Sequence, residues 1–204
     1  MPHSLFTQEL NGNHDFQLWL HPVVAVPLEK KASIQTEMDF RFGANASIFY
    51  RFYMQSAYRF PLYKCLEMGL GYRQVFTLDT SANRWRPRYE PLIDLLCNFD
   101  IHKWEITTRS RTFYSFRGSL TNRWIQRFLI RAKFPIKLGQ ATPLLYDEVF
   151  FREGTGCYEN RFSVGLSFPI VSKIEGSAHY ILRHILIDEW VQHNILRIYM
   201  TYTF

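Results

Sequence analysis

Residues 189–204 read EWVQHNILRIYMTYTF, and the alternation within this stretch decides the fold. Successive side chains of an extended strand point to opposite faces. One face would carry Trp190, Gln192, Asn194, Leu196, Ile198, Met200, Tyr202 and Phe204, and the other Val191, His193, Ile195, Arg197, Tyr199, Thr201 and Thr203. The first face becomes more apolar along the chain and ends at an aromatic residue. Such a stretch is typical of the closing strand of a bacterial outer-membrane β-barrel, whose outer face contacts lipid.

The same alternation recurs along most of the chain. In residues 32–43 apolar and polar side chains take turns, with Ile34, Met38, Phe40 and Phe42 against Gln35, Glu37, Asp39 and Arg41. Segments of this kind, separated by short turns, favour an antiparallel up-and-down meander. The predicted strands cover residues 15–28, 32–43, 47–58, 62–78, 85–99, 103–117, 122–134, 143–151, 158–170, 174–186 and 189–204.

The fold class predicted from these segments is all-β, a closed antiparallel transmembrane barrel that forms one domain over residues 1–204. Single-chain bacterial barrels have even strand numbers, which favours twelve strands, with ten as the alternative if two segments merge. Residues 4–10, which precede the turn signal Asn11-Gly12, could supply the twelfth strand. Residues 1–14 are therefore expected to be an extra N-terminal strand or disordered.

Composition agrees with a membrane barrel. Aromatic residues make up 17% of the chain, with 18 Phe and 12 Tyr. A mean hydropathy of −0.18 is compatible with this class, because half of every strand is polar. No run approaches the roughly 18 apolar residues of a transmembrane helix. The predicted location is the outer membrane of a Gram-negative bacterium. Since residues 1–15 contain no apolar signal-peptide core, we expect a mature form with Met1 added.

A soluble lipocalin-like binding barrel also alternates, but with its apolar face inside. Three features argue against that alternative. Several segments span 12–16 residues, enough to cross a bilayer at a tilt of roughly 45°. Four of the five Trp residues, Trp85, Trp104, Trp124 and Trp190, lie near predicted strand starts, where interface girdles form. The polar face is dominated by Arg with Glu and Asp, and the guanidinium fork suits crowded internal pairs.

The polar face predicts the residues that line the barrel interior, and the apolar face of the closing strand predicts lipid contacts. The predicted interior set is Glu37, Asp39, Arg41, Arg51, Glu67, Arg73, Arg88, Glu90, Asp94, Glu105, Arg109, Arg111, Arg123, Arg127, Arg131, Glu148, Arg161, Glu175, Arg183 and Arg197. The predicted lipid-facing set is Trp190, Leu196, Ile198, Met200, Tyr202 and Phe204. Two functions stay open: a structural barrel plugged by salt bridges, or a passive, porin-like, weakly anion-preferring pore.

Four stretches resemble the domain-of-unknown-function 2490 family. They are TRSRTFY in the region 107–114, NRWIQRFLIRAKFP at 122–135, YDEVFF at 146–151 and ENRFSVGLSF at 159–168. The family pattern matches at Arg109 and Arg111, Arg127 and Arg131, Asp147 and Glu148, and Asn160, Arg161 and Gly165. The resemblance covers nearly the whole chain. It implies a small outer-membrane barrel with no assigned biochemical activity.

The different-class alternative is an outer-membrane lipid-modifying enzyme. It requires an activated Ser with a His within hydrogen-bond reach, for which Ser163, Ser177, His179 and His193 are the candidates. No local motif fixes these residues, so we expect no enzyme, no cofactor and no metal. The expected partners are outer-membrane lipid, the insertion machinery acting through the C-terminal strand, and small anions. Nucleic acid is not expected, because the arginines alternate with apolar residues instead of clustering.

The three cysteines follow from the same face assignment. Cys65 shares parity with Glu67 and is expected inside, whereas Cys97 shares parity with Leu95 and is expected outside. Side chains on opposite faces project away from each other, so Cys65 and Cys97 are predicted not to form a disulfide. Cys157 lies beyond a glycine-containing turn and is predicted to be the most reactive of the three.

Overall fold

The computed structural model of the protein describes residues 12–116 and 122–204. Within these residues the chain forms eleven strands and one short 3-10 turn, Glu29–Lys31. The strands are β1 Phe16–Pro27, β2 Ser33–Gly43, β3 Ile48–Tyr63, β4 Leu66–Asp79, β5 Arg84–Ile101, β6 Trp104–Ser115, β7 Arg123–Lys133, β8 Thr142–Arg152, β9 Gly156–Val171, β10 Ile174–Leu186 and β11 Trp190–Thr203. No helix in the described ranges is long and apolar enough to cross a membrane.

The eleven strands close into a barrel in chain order. Every consecutive pair is antiparallel, whereas β1 and β11 pair in parallel, with Phe16 opposite Asn194 and Ala25 opposite Thr203. The reason is geometric: in an up-and-down meander of odd number, the first and last strands run in the same direction. The expectation of a purely antiparallel barrel of twelve or ten strands is therefore wrong for the described chain. Residues 4–10, predicted as a twelfth strand, lie outside the described residues, as do residues 118–121 between two of the predicted strands.

Most charged side chains of the strands point inward. In β2, for example, Glu37, Asp39 and Arg41 are buried while Ile34 is exposed. The strands are joined by short connections, and several connecting residues, such as Lys64 and His102, have a positive φ. We call the end of the barrel that carries the β2–β3, β4–β5, β8–β9 and β10–β11 turns the Trp190 end. The opposite end, which carries the β1–β2, β3–β4, β5–β6, β7–β8 and β9–β10 connections, is the Phe204 end.

A register irregularity in β9 moves one aromatic side chain inward. Phe150 of β8 pairs with Glu159 of β9, whereas the next residue of β8, Phe151, pairs with Cys157. Tyr158 is therefore the extra residue of the bulge. A bulge breaks the strict two-residue alternation. Tyr158 is consequently buried against Phe150, although its parity with Phe162 predicts an outward position.

The prediction for the cysteines is wrong: Cys65 and Cys97 form a disulfide, with Cα atoms 5.0 Å apart. Cys97 lies on the outer face of β5 as expected from its parity. Cys65, however, lies in the β3–β4 turn directly after Lys64, which has a positive φ of 41°. Parity holds only within a strand, so the turn brings Cys65 beside Cys97 at the Phe204 end. Cys157 is an exposed free thiol at the start of β9, and its high reactivity stays a prediction.

Candidate functional site

The barrel interior is the candidate functional site, because it collects the charged side chains of the strands. Most of the predicted interior set lies on the inward face with little or no exposed surface. The other members of the set are less buried. Glu105 and Glu175 are exposed at the Phe204 end, where Lys133 Nζ approaches them at 3.8 Å and 3.4 Å. Glu67, Arg51, Arg88, Arg109, Arg123 and Arg131 are half-buried.

Arg111 is the centre of the first ion-pair network, which we call the Asp94 network. Its Nε and Nη2 donate to both carboxylate oxygens of Asp94 at 2.5 Å, and its Nη1 donates to Gln55 at 2.7 Å. Glu37 lies 3.7 Å from the same guanidinium. Arg59 adds a second cation to Asp94 at 3.3 Å. The bidentate geometry matches the planar fork of arginine to a carboxylate.

The Asp94 network continues into a cluster around Asp39. His21 lies between two acids, 3.6 Å from Glu37 and 3.1 Å from Asp39. Arg41 donates through Nε to one oxygen of Asp39, and Arg197 contacts the other at 3.2 Å. The residues come from β1, β2 and β11, so this cluster ties together the two strands that close the barrel and their neighbour.

A second network, the Glu148 network, occupies the opposite wall. Glu148 accepts a hydrogen bond from Arg127 and lies 3.2 Å from Arg109 and 3.4 Å from Arg161. Arg161 reaches on to Glu159 at 2.5 Å, and Arg183 joins Glu159 at 2.8 Å. Two carboxylates thus hold four arginines, which leaves this wall of the interior net positive.

Trp19 separates the two networks. Its ring has 0% exposure, and the guanidinium carbon of Arg41 lies 3.6 Å from the ring centroid. The Arg161 group lies 4.9 Å from the centroid. The indole N–H donates to Gln17 Oε1 at 3.1 Å, and Tyr50 donates to the same oxygen at 2.9 Å. A buried aromatic face between arginines is the arrangement expected of cation–π stacking.

Trp19 and the two networks form the middle layer of the interior, and two cavities lie within the barrel on either side of it. A cavity of about 330 Å³ lies toward the Phe204 end, between Arg131, Glu175, Ser177 and Thr201. A cavity of about 190 Å³ lies toward the Trp190 end and is lined largely by arginines. Tyr53, Arg127 and Arg197 border both. These side chains therefore form the partition that divides the interior.

The serine and histidine candidates are partly brought together. Ser163 Oγ lies 3.3 Å from Nδ1 of His179, and Ser177 Oγ lies 3.0 Å from its Nε2. Gly165 makes room for the ring, since a Cβ there would lie 2.8 Å from Nδ1. Among the described residues no carboxylate contacts either ring nitrogen, so a Ser-His-acid arrangement is not formed. His193 lies apart from this group, beside Gln17 and Arg183.

The outer face is mainly apolar, and its polar residues include the hydrogen-bonded pairs Thr36–Ser56, Thr112–Gln126 and Asp147–Asn160. On the closing strand, Trp190, Leu196, Ile198, Met200, Tyr202 and Phe204 all point outward, while His193, Ile195 and Arg197 are buried inside. Exposed residues such as Met54, Leu70, Ile130 and Val164 continue the belt on other strands. In the ranges that the structure describes, no group of three or more His, Cys, Asp or Glu side chains is arranged to hold a metal ion.

Several residues outside the predicted interior set also line the interior. Gln17, Trp19 and His21 alternate with Phe16, Leu18 and Leu20, so their parity could have identified them despite the apolar run. Arg59 and Glu159 share the parity of Arg51 and Arg161, and the same rule would have found them. Gln55 and Tyr53 share the parity of Arg51 as well, and in the structure they contact Arg111 and Arg73 in the interior.

The comparisons agree with the resemblance noted above. The family described as "Protein of unknown function (DUF2490)" matches residues 16–189, a range that begins in β1 and ends just before β11. A search of curated proteins found no match. Since the family model covers most of the chain, including both ion-pair networks except Arg197, the protein belongs to the DUF2490 family, which here has the fold of an eleven-stranded closed β-barrel.

Proposed function

We propose that this protein is an outer-membrane β-barrel that spans the bilayer and serves as a structural barrel with a side-chain-filled interior. The observation that carries the proposal is the opposite polarity of its two faces: an apolar outer belt surrounds an interior of buried charges. A soluble binding barrel has the reverse arrangement. An apolar outer face of this extent is stable only against lipid or another apolar surface.

Strand length and aromatic placement support a membrane-spanning role. The strands contain 11 to 18 residues, and about 9–11 residues of tilted strand cross a bilayer. Trp85, Trp124 and Trp190 lie on the outer face near the Trp190 end, and Trp104 packs on Phe134 near the Phe204 end. Two aromatic belts at the ends of an apolar band are the pattern of a barrel at two membrane interfaces. Outer-membrane lipid is therefore the proposed partner of the belt, with β11 offered to the insertion machinery.

The packed middle layer favours a plugged barrel over an open pore. Trp19, Arg111, Glu148 and His193 lie on the inward face of the barrel and have no exposed surface. Buried ion pairs of this kind must be nearly fully satisfied, and separating them would cost several kcal/mol each. A continuous aqueous path would require that separation.

We propose no enzymatic role, since His179 has no acidic partner among the described residues.

Site-directed labelling tests the membrane assignment. Ile130, which is 54% exposed on the outer face of β7, is replaced by Cys in a Cys157→Ser background. The unmodified chain, with its exposed Cys157, is the control for labelling at the rim. In intact membranes we expect a lipid-soluble maleimide to label Ile130→Cys and a charged maleimide to label only native Cys157. Rapid labelling of Ile130→Cys by the charged reagent would contradict the proposal.

Planar-bilayer recording tests the plugged interior. We expect the refolded protein to insert without steady single-channel conductance. Steady, anion-selective steps would instead support the pore interpretation. In that case Arg127→Glu and Arg131→Glu should reduce the anion preference.

A further inference from the structure

We propose that the cavity at the Trp190 end, which we call the arginine chamber, binds a small phosphate-type oxyanion. The chamber has a volume of about 190 Å³. Among the described residues its lining includes nine arginines and only two carboxylates, Glu90 and Glu159. The chamber lies inside the barrel, so anion binding there does not depend on a surrounding membrane.

The two carboxylates are already occupied. Glu90 accepts from Arg73 Nε at 2.6 Å and from Ser115 at 3.0 Å. Glu159 is held by Arg161 at 2.6 Å and by Arg183 at 2.8 Å. Arg41 and Arg197 pair with Asp39, and Arg127 pairs with Glu148. The surplus of positive charge therefore lies with the other arginines of the chamber, among them Arg51 and Arg152.

Arg51 shows the imbalance most clearly. Its Nε is shut off from solvent and has no hydrogen-bond partner, and within the described residues no carboxylate forms an ion pair with it. It lies directly opposite Arg41 in the β2–β3 register. Arg41, Arg73 and Arg88 line the same chamber and repel it, and among the described residues Glu90 is the carboxylate there that partly offsets their repulsion. Like charges at a cross-strand pair are unfavourable, and a buried cation without a counter-charge is costly.

Arg152 repeats the pattern on the other side of the chamber. Its Nε is also buried without a partner. Its guanidinium carbon lies 3.9 Å from the centroid of the Tyr158 ring, so stacking holds the plane of the group. Stacking of this kind uses the face of the guanidinium and leaves its N–H donors for another acceptor. The bulge that turns Tyr158 inward thus positions a donor at the chamber wall.

A phosphate-type oxyanion fits these observations. Several guanidinium forks that converge on one small space match the oxygens of a phosphate, and a multivalent anion can neutralise more than one of them. The volume admits a small anion and excludes an acyl chain or an oligosaccharide. Free phosphate and a phosphate group carried by a lipid share this chemistry, and the test must separate them.

Titration calorimetry on the refolded protein in a maltoside detergent, which contains no phosphate, tests the proposal with inorganic phosphate as the probe. Sodium chloride at equal ionic strength is the blank. We expect saturable binding by the unmodified chain. We expect Arg51→Met and Arg152→Met each to weaken it by about tenfold or more, the effect of losing a charge-assisted hydrogen bond. Arg86→Met should bind normally, because Arg86 pairs with Asp79 on the rim and lies outside the chamber.

Several outcomes would overturn the proposal. One is the absence of saturable phosphate binding to the unmodified chain. Another is equal weakening by Arg86→Met and by the chamber variants, which would indicate a general charge effect. A third is a rise in the free energy of unfolding when vesicles of phosphatidylcholine with phosphatidic acid are added, without any such rise when inorganic phosphate is added. That result would assign the recognition to the lipid surface. If one chamber variant fails to fold, the other still decides between these results.

Discussion

Arg111 and Arg51 are both inward-facing arginines, yet they lie in opposite electrostatic surroundings. Arg111 is completely buried and donates to Asp94 and Gln55, with Glu37 nearby. Arg51 faces three other arginines, and its Nε has no partner. The same residue type on the same face of one barrel thus completes a network in one region and lacks a counter-charge in the other.

The interior charges therefore have two separate roles. Around Asp94 the two carboxylates Asp94 and Glu37 balance the charges of Arg111 and Arg59, although Arg59 Nε and Gln55 Nε2 have no hydrogen-bond partner among the described residues. This charge-balanced network stiffens the barrel and closes its middle. In the arginine chamber the surplus of cations opposes folding and favours an anion instead. An excess of positive charge that does not stabilise the fold is expected of an anion-binding site, because such sites are often unfavourable to the fold when no ligand is bound.

The largest effect is expected for Arg111→Met. The change keeps the side-chain volume but leaves Asp94 and Glu37 short of a cation in a buried site. We expect the free energy of unfolding to fall by about 3–5 kcal/mol. Urea unfolding of the refolded barrel, followed by tryptophan fluorescence, measures it. Arg86→Met, which removes an exposed arginine, is the matched control and should leave the urea midpoint unchanged. Equal midpoints for Arg111→Met and the unmodified chain would remove the distinction between the two regions.

A smaller effect is expected for Trp19→Phe, at the boundary between the two networks. Phenylalanine keeps an aromatic face for Arg41 but loses the indole N–H that donates to Gln17. The lost hydrogen bond should lower the free energy of unfolding by about 1 kcal/mol. The same urea titration checks this value. A loss as large as that of Arg111→Met would mean that the ring volume, not the hydrogen bond, dominates at Trp19.

The smallest effect, and one of opposite sign, is expected for Arg51→Met in buffer without phosphate. Removing a cation that repels its neighbours should leave the free energy of unfolding unchanged or raise it by about 1 kcal/mol. The measurement is again urea unfolding. Arg183→Met, which strips a partner from Glu159, is the matched chamber control and should be destabilising. A clear destabilisation by Arg51→Met would show that Arg51 has a stabilising contact and would weaken the case for an anion site.

The sequence alone determined the faces of the strands. Two-residue alternation separates residues such as Glu37, Asp39 and Arg41 from Ile34, Phe40 and Phe42, and this separation is local, because it follows from the geometry of a single strand. The same rule places Arg197 inward and Ile198 outward on β11, as the structure does. The short turns between the segments also predicted the meander, because consecutive strands joined by short turns usually pair with each other.

Only the tertiary structure decided what lies beyond one strand or breaks its period. The parallel β1–β11 closure depends on the total strand number, which no local pattern counts. The Cys65–Cys97 disulfide depends on a turn in which parity no longer applies. The split between the Asp94 network and the arginine chamber depends on which strands face each other across the interior. Charge pairing acts through space over a few ångströms, so the alternation along a strand determines that a charge is inside, and only the closed barrel determines whether it meets a partner.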